Sequence, residues 1–234
     1  GADGALLKTP KGDVYHVNML EKLLATVLAK MSNFVPEAGI WLNTQRPEWN
    51  DANNALVGNG TSMVTLYYMR RFFTFFDNLI DSVDFSSSPI SEELYDFFKE
   101  ISTQLTKHES LLANKIGDQE RQSFVDAVGQ AGSSYRNQIY NNGFSSKTSK
   151  ISTADLKSFI GISLAYIDHS IDANKRADGL YHAYNLITFE AQGGVSISYL
   201  DEMLEGQVAV LSSGYLSPAQ ADQVLNQMRK SKLY

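Results

Sequence analysis

Between Arg46 and Gly58 the chain reads Arg46-Pro47-Glu48-Trp49-Asn50-Asp51-Ala52-Asn53-Asn54-Ala55-Leu56-Val57-Gly58. Residues 48–54 hold two carboxylates, three side-chain amides and one of the chain's two tryptophans. A carboxyl group can protonate a glycosidic oxygen, an indole can stack on a sugar ring, and amides can donate to and accept from hydroxyls. The same residue types build turns, because Asn and Asp side chains bond to nearby backbone. On residue types alone, an Asx-rich turn with Trp49 plugging the core explains the segment as well as a sugar site does.

Two further segments have a similar flavour. Tyr15-His16-Val17-Asn18 and Tyr181-His182-Ala183-Tyr184-Asn185 each set Tyr, His and Asn close together. Aromatic faces suit ring carbons, and His and Asn suit hydroxyls, so His16, Tyr181, His182 and Asn185 are candidate sugar contacts. The structural alternative is that each caps a helix or satisfies a buried carbonyl. Hydrolysis with inversion also needs a second carboxylate, roughly 6.5–9.5 Å from the acid, to activate water. Asp51, Glu190, Glu202 and Glu205 are the candidates. Glu190 is the one selected, because it precedes Gln192-Gly193-Gly194, a flexible stretch able to present it in a cleft. Glu202 and Glu205 lie opposite a Leu200/Leu204/Leu211 stripe and read as a solvated face.

The 48–58 segment resembles the signature of the cellobiose and chitobiose phosphorylase family, D-W-N-D-x-x-N-x-V-G followed by a Ser-containing aromatic helix. Trp49, Asn50, Asp51, Asn54, Val57 and Gly58 stand at the same spacing, and Ser62 and an aromatic helix follow. Glu48 stands where the family carries its general-acid Asp. The resemblance implies that Glu48 is the acid and that Trp49 sits in a sugar-binding loop. It implies that Asn50, Asp51 and Asn54 hold that loop or the sugar hydroxyls, with a disaccharide or oligosaccharide as partner. It further implies an (α/α)6 toroid shared by inverting hydrolases and phosphorylases. No counterpart of the family's phosphate-binding His segment is present, so water and phosphate both stay open as the attacking group.

The elements that must position these residues read as helices. Residues 13–34 carry Met19, Leu20, Leu23, Leu24, Val27, Leu28 and Met31 in one stripe. Residues 36–60 read as a long irregular loop, a length often tied to function. Residues 61–83 read as an aromatic helix that is apolar nearly all round and so buried on several sides. A Ser/Pro linker over 84–91 leads to a third helix, N-capped by Ser91, reaching about residue 115. Asp118 opens a fourth helix that Asn141-Asn142-Gly143 stops, and 143–152 reads as a surface loop. Ser152 with Asp155 resembles a capping box for a fifth helix, 152–174. Residues 180–198 are the one stretch that reads as strand-like or irregular. Helices at 199–213 and from Ser217-Pro218 to Lys230 complete the chain.

The expected fold is all-α: antiparallel helical pairs in a single domain over 1–234, part of an (α/α)-toroid-like array of about seven helices. Seven helices are too few to close a twelve-helix ring, so the remainder of a larger polypeptide is an expected partner. The chain begins with Gly rather than Met, as a processed or excised piece would. Composition sets further bounds. A net charge of −6 argues against a nucleic-acid partner. No apolar run approaches the roughly 18 residues of a membrane span. With no cysteine, thiol nucleophiles and disulfides are excluded. No phosphate-binding loop, dinucleotide fingerprint, esterase-type serine motif or zinc spacing occurs, so no cofactor or metal is expected. Two readings outside catalysis remain: a noncatalytic sugar-binding or structural helical domain, and an interaction protein using the 61–83 helix.

Overall fold

The computed structural model describes residues 7–9, 11–42, 56, 58–83 and 85–234. Seven α-helices run through these residues where the hydrophobic periodicity places them. They are α1 (Met19–Met31), α2 (Met63–Ser82), α3 (Glu92–Lys107), α4 (Asp118–Asn142), α5 (Thr153–Ala173), α6 (Leu204–Ser212) and α7 (Pro218–Lys230). The all-α expectation is nevertheless wrong. Short strands β1 (Phe34–Val35), β2 (Gly39–Trp41) and β3 (Gly60–Ser62) precede α2, and β4 (Ser87–Ser91) and β5 (Thr148–Ser152) precede α3 and α5. Strands β6 (Tyr184–Phe189) and β7 (Val195–Tyr199) follow α5. An antiparallel sheet has the spatial order β1-β2-β3-β6-β7, and β4 pairs with β5 in a separate ribbon. The molecule is mixed α and β rather than a toroid-like array of helical pairs.

The physical reason is strand length. Two or three residues cannot show a period-2 alternation, so β2 reads as loop while Phe34 of β1 and Thr61-Ser62 of β3 are absorbed into the neighbouring helical stretches. The ribbon is built from Ser, Thr, Lys and Pro, which favour turns in isolation. Its stability comes from one isoleucine per strand: Ile90 and Ile151 are both fully buried. The expected linker over 84–91 and loop over 143–152 are thus partners in one hairpin-like ribbon.

Helix ends follow local chemistry. The Ser62, Ser152 and Ser217 side chains accept from the backbone N–H groups of Thr65, Asp155 and Gln220. Ser91 does not cap α3: its hydroxyl has no partner among the described residues, and its backbone N–H donates to Glu21. The cap that sequence inspection missed is Asn18, which accepts from Glu21 N–H and donates to the Pro89 carbonyl, tying α1 to β4.

One apolar core takes side chains from all seven helices, including Leu28, Phe73, Phe98, Phe124, Tyr166 and Val224. Helix α2 lies across it, with Phe73 edge-on to Phe159. Its outer face is exposed at Tyr68, Phe75 and Leu79, so this helix is amphipathic rather than buried all round. Asp77 and Asp81, on a different edge of the helix, both meet Lys157 of α5, at 3.0 and 2.6 Å.

A buried ion pair joins the sheet to the helices. Glu37, in the tight turn between β1 and β2, has φ +64° and is 3% exposed. Its carboxylate accepts from Ile116 N–H and Arg121, and its backbone carbonyl accepts from Asn174. The Arg121 guanidinium also donates to the carbonyls of Pro36, Ile116 and Val195 and to Asp118. One side chain thereby holds the β1–β2 turn, the start of α4 and strand β7 together.

Candidate functional site

The five-stranded sheet has two unlike faces, because alternate side chains point to opposite sides. On one face Ile187 and Val195 pack against Val35, Ala38 and Val125. On the other, Tyr184 packs with Leu56 and Ala183, and with partly buried Leu42, Leu186, Leu200 and Met203. On this second face lie Leu42 and Leu56, which bracket residues 43–55, whereas Trp41 packs against the first face. Leu42 N–H donates to the Gly60 carbonyl at 2.8 Å, and the Trp41 indole donates to the Gly58 carbonyl at 3.0 Å. Leu56 lies directly over Gly60, where an added Cβ would come within 2.4 Å of the leucine Cβ. Gly58 has φ +87°, a conformation that glycine adopts without strain. Glu48, Trp49, Asn50, Asp51 and Asn54 lie outside the described residues.

A carboxylate sits on this face. The Tyr184 hydroxyl donates to Glu205 Oε2 at 2.9 Å. Burial, and then the Glu205 carboxylate itself, push the Tyr184 phenol well above its ordinary pKa, so it stays a donor. Glu205 is exposed, at the first turn of α6. Two neighbours fix the helix there. A Cβ on Gly206 would meet the Ala183 backbone at 3.0 Å, so glycine permits the close approach. Gln207, fully buried, brackets Tyr181 by donating to its carbonyl and accepting from its N–H. A glycine inside a helical pattern is a sign of close backbone approach, and this was the available signal for Glu205.

Beside this pair, the His182 ring stacks on Tyr199 with centroids 4.5 Å apart. Its Nδ1 lies 3.2 Å from the Leu200 carbonyl, which calls for the Nδ1–H tautomer. Burial, and then the charge of Arg176, lower the His182 pKa, favouring the neutral ring. Arg176 bonds Asp178 and reaches Glu202 at 3.2 Å, so Glu202 is already paired.

The remaining predicted contacts are placed elsewhere. Tyr181 is in the main core, with its backbone held by Gln207. Asn185 is fully buried and donates to the Ala38 carbonyl and to Asn174 Oδ1, which makes it part of the frame. His16 is exposed before α1, where its neighbour Tyr15 stacks on Phe144 and Asn18 caps the helix. The two Tyr/His/Asn segments therefore have different neighbours. Glu190 is exposed in the β6–β7 turn and accepts from the Ser196 hydroxyl. From Tyr184 to Phe189 is five strand rises, about 17 Å, so Glu190 stands well away from the Tyr184–Glu205 pair. Compared with known proteins, the chain matches no family model and no curated relative. The functional reading therefore stands on the residues themselves.

Proposed function

We propose that this chain is a carbohydrate-active domain. It binds a disaccharide or oligosaccharide beside the outer face of the sheet and cleaves a glycosidic bond with Glu48 as general acid. The observation that carries this reading is the company of the two described leucines on either side of residues 43–55. Leu42 and Leu56, which flank Glu48-Trp49-Asn50-Asp51, pack with Tyr184, and the Tyr184 hydroxyl is held by the exposed Glu205 carboxylate. A saccharide site needs this combination of acid, stacking ring, amides and a second carboxylate.

In this account Glu48 gives its proton to the leaving oxygen as the glycosidic C–O bond breaks. Glu205, anchored by one hydrogen bond from Tyr184, has lone pairs left to take a proton from the attacking water. Trp49 stacks on a sugar ring, and Asn50, Asp51 and Asn54 bind hydroxyls or brace the segment. Glu205 replaces Glu190 as the candidate base. Phosphate in place of water needs no base, since it attacks as an anion.

The test is turnover of a panel of disaccharides and short oligosaccharides, with and without phosphate, for wild type, Glu48→Gln and Glu205→Gln. Removing a general acid or base lowers kcat by about 100-fold or more. Loss in both variants without phosphate supports the assignment. Loss in Glu48→Gln alone, with phosphate required, assigns phosphorolysis. Full activity in Glu48→Gln rejects the acid role. Saccharide-dependent thermal stabilisation without turnover reduces the reading to sugar binding.

A further inference from the structure

A second site is built between α3 and α4, and it does not rest on the carbohydrate reading. A groove of ≈ 570 Å³ lies between these helices, a volume suited to a small molecule. Its α3 wall carries Glu92, Glu93, Asp96 and Glu100, and no Lys, Arg or His lines it. The α4 wall carries Gln130, Ser134 and Gln138, one helical turn apart from each other. Phe97 and Tyr135, one from each helix, also line the groove and stack with centroids 4.7 Å apart and planes within 12°.

Carboxylates along a helix are usually only a solvated face, but Glu93 is not solvated. It is 8% exposed, and its Oε1 accepts from Ser145 N–H at 2.7 Å. Its Oε2 is buried with no partner among the described residues. An unpaired carboxylate oxygen withdrawn from water is costly unless a cation or donor answers it. The other acids are lightly engaged: Glu92 is half-buried and 3.8 Å from Lys147, and Glu100 is exposed and accepts from Gln104. Asp96 is exposed.

The ligand chemistry follows from the spacing. Among the described residues no three His, Asp or Glu side chains gather as ligands of one metal ion. The acids are instead strung along α3: from Glu92 to Glu100 is eight helical rises, about 12 Å. That suits a linear molecule with separated positive charges and an apolar body that can lie on an aromatic stack. We propose that the α3–α4 groove binds an aliphatic polyamine. Its ammonium groups meet Glu93, Asp96 and Glu100, its methylenes cover the Phe97–Tyr135 stack, and Gln130 and Gln138 accept remaining N–H groups.

Isothermal titration of the whole chain with spermidine tests this, against Asp96→Asn, Glu93→Gln and a Glu109→Gln control outside the groove. Asp96 makes no side-chain hydrogen bond or ion pair among the described residues, so Asp96→Asn keeps the test valid if Glu93→Gln fails to fold. The expected result is saturable one-to-one binding, weakened about tenfold or more by Asp96→Asn and by a folded Glu93→Gln. Glu109→Gln should bind as wild type does. Absence of saturable binding overturns the proposal, as does equal weakening by Glu109→Gln, which would signify diffuse attraction to an acidic protein. Mg²⁺ binding at the same stoichiometry, lost in the same variants and excluding spermidine, would also overturn it in favour of a metal site.

Discussion

Arg121 places all five of its N–H groups on protein acceptors, and Glu37 answers it with a carboxylate that is nearly as buried. Removing one partner of such a pair strands the other charge away from water. Arg121→Met should cost about 3–5 kcal/mol of unfolding free energy, read by chemical denaturation at neutral pH. A loss below about 1 kcal/mol would mean that the network is not closed as described. His182 offers a pH signature. Its folded pKa lies below the ordinary 6.5 because the ring is buried. Above that value both states are neutral and the residue contributes no pH dependence. As the pH falls below 6.5, the unfolded chain takes up a proton that the folded chain refuses. Stability should therefore decline from pH 6.5 down to the depressed folded pKa and then stop changing on this account. The Asp178 carboxyl, held below 3.8 by its bond from Arg176, begins to lose its contribution only as the pH falls through 3.8, well below the pH at which the His182 effect sets in. His182→Gln should flatten the upper window, and an unchanged slope there would assign it to other groups.

At the scale of elements, α6 is positioned by what it lacks. Gly206 lets the helix touch the Ala183 backbone, and this contact sets Glu205 over Tyr184. Gly206→Ala should force the helix outward and destabilise the protein by about 1–3 kcal/mol despite alanine's better helix propensity. Gly129 of α4 provides the contrast, since a Cβ there meets nothing within 4 Å. Gly129→Ala should stabilise by about 0.5–1 kcal/mol. Thermal unfolding of the pair checks both signs, and stabilisation by Gly206→Ala would show that α6 does not need the close approach. The helices themselves were legible, because stripes such as Leu24, Val27, Leu28 and Met31 in α1 carry their periodicity on the surface of the sequence. Of the strands, only β6 and β7 fall where the sequence reads as strand-like or irregular, over 180–198. β1 is two residues long, and the Ser87–Ser91 strand finds its partner only at Thr148–Ser152, so nothing local marks either. Their identity comes from long-range burial of Ile40, Ile90 and Ile151, a tertiary effect that overrides local preference.

For the molecule as a whole, the sheet gathers the residues that bracket 43–55. The pairing of β2 with β3 brings Leu42 and Leu56 into one cluster on the sheet, which paired helices alone would not supply. Sequence reasoning found the 48–58 segment from its residue types. It selected Glu190 over Glu205 because a Gly-Gly turn looks more accessible than a helix face. The Tyr184 bond, which joins residues from two elements and leaves no trace in local spacing, is what favours Glu205 in the proposed reading, whereas Glu190 meets Ser196. Asn185 shows the opposite error: an amide apt for sugar hydroxyls is consumed by the frame. The central claim is that saccharide binds against the Glu48–Asn54 segment, and Trp49 gives a direct probe of it. Titration of the saccharide panel should be followed by tryptophan fluorescence in wild type, Trp41→Phe and Trp49→Phe. The account predicts a saturable change in wild type and Trp41→Phe that disappears in Trp49→Phe. A panel that leaves the emission unchanged, or a change that survives in Trp49→Phe, would contradict it.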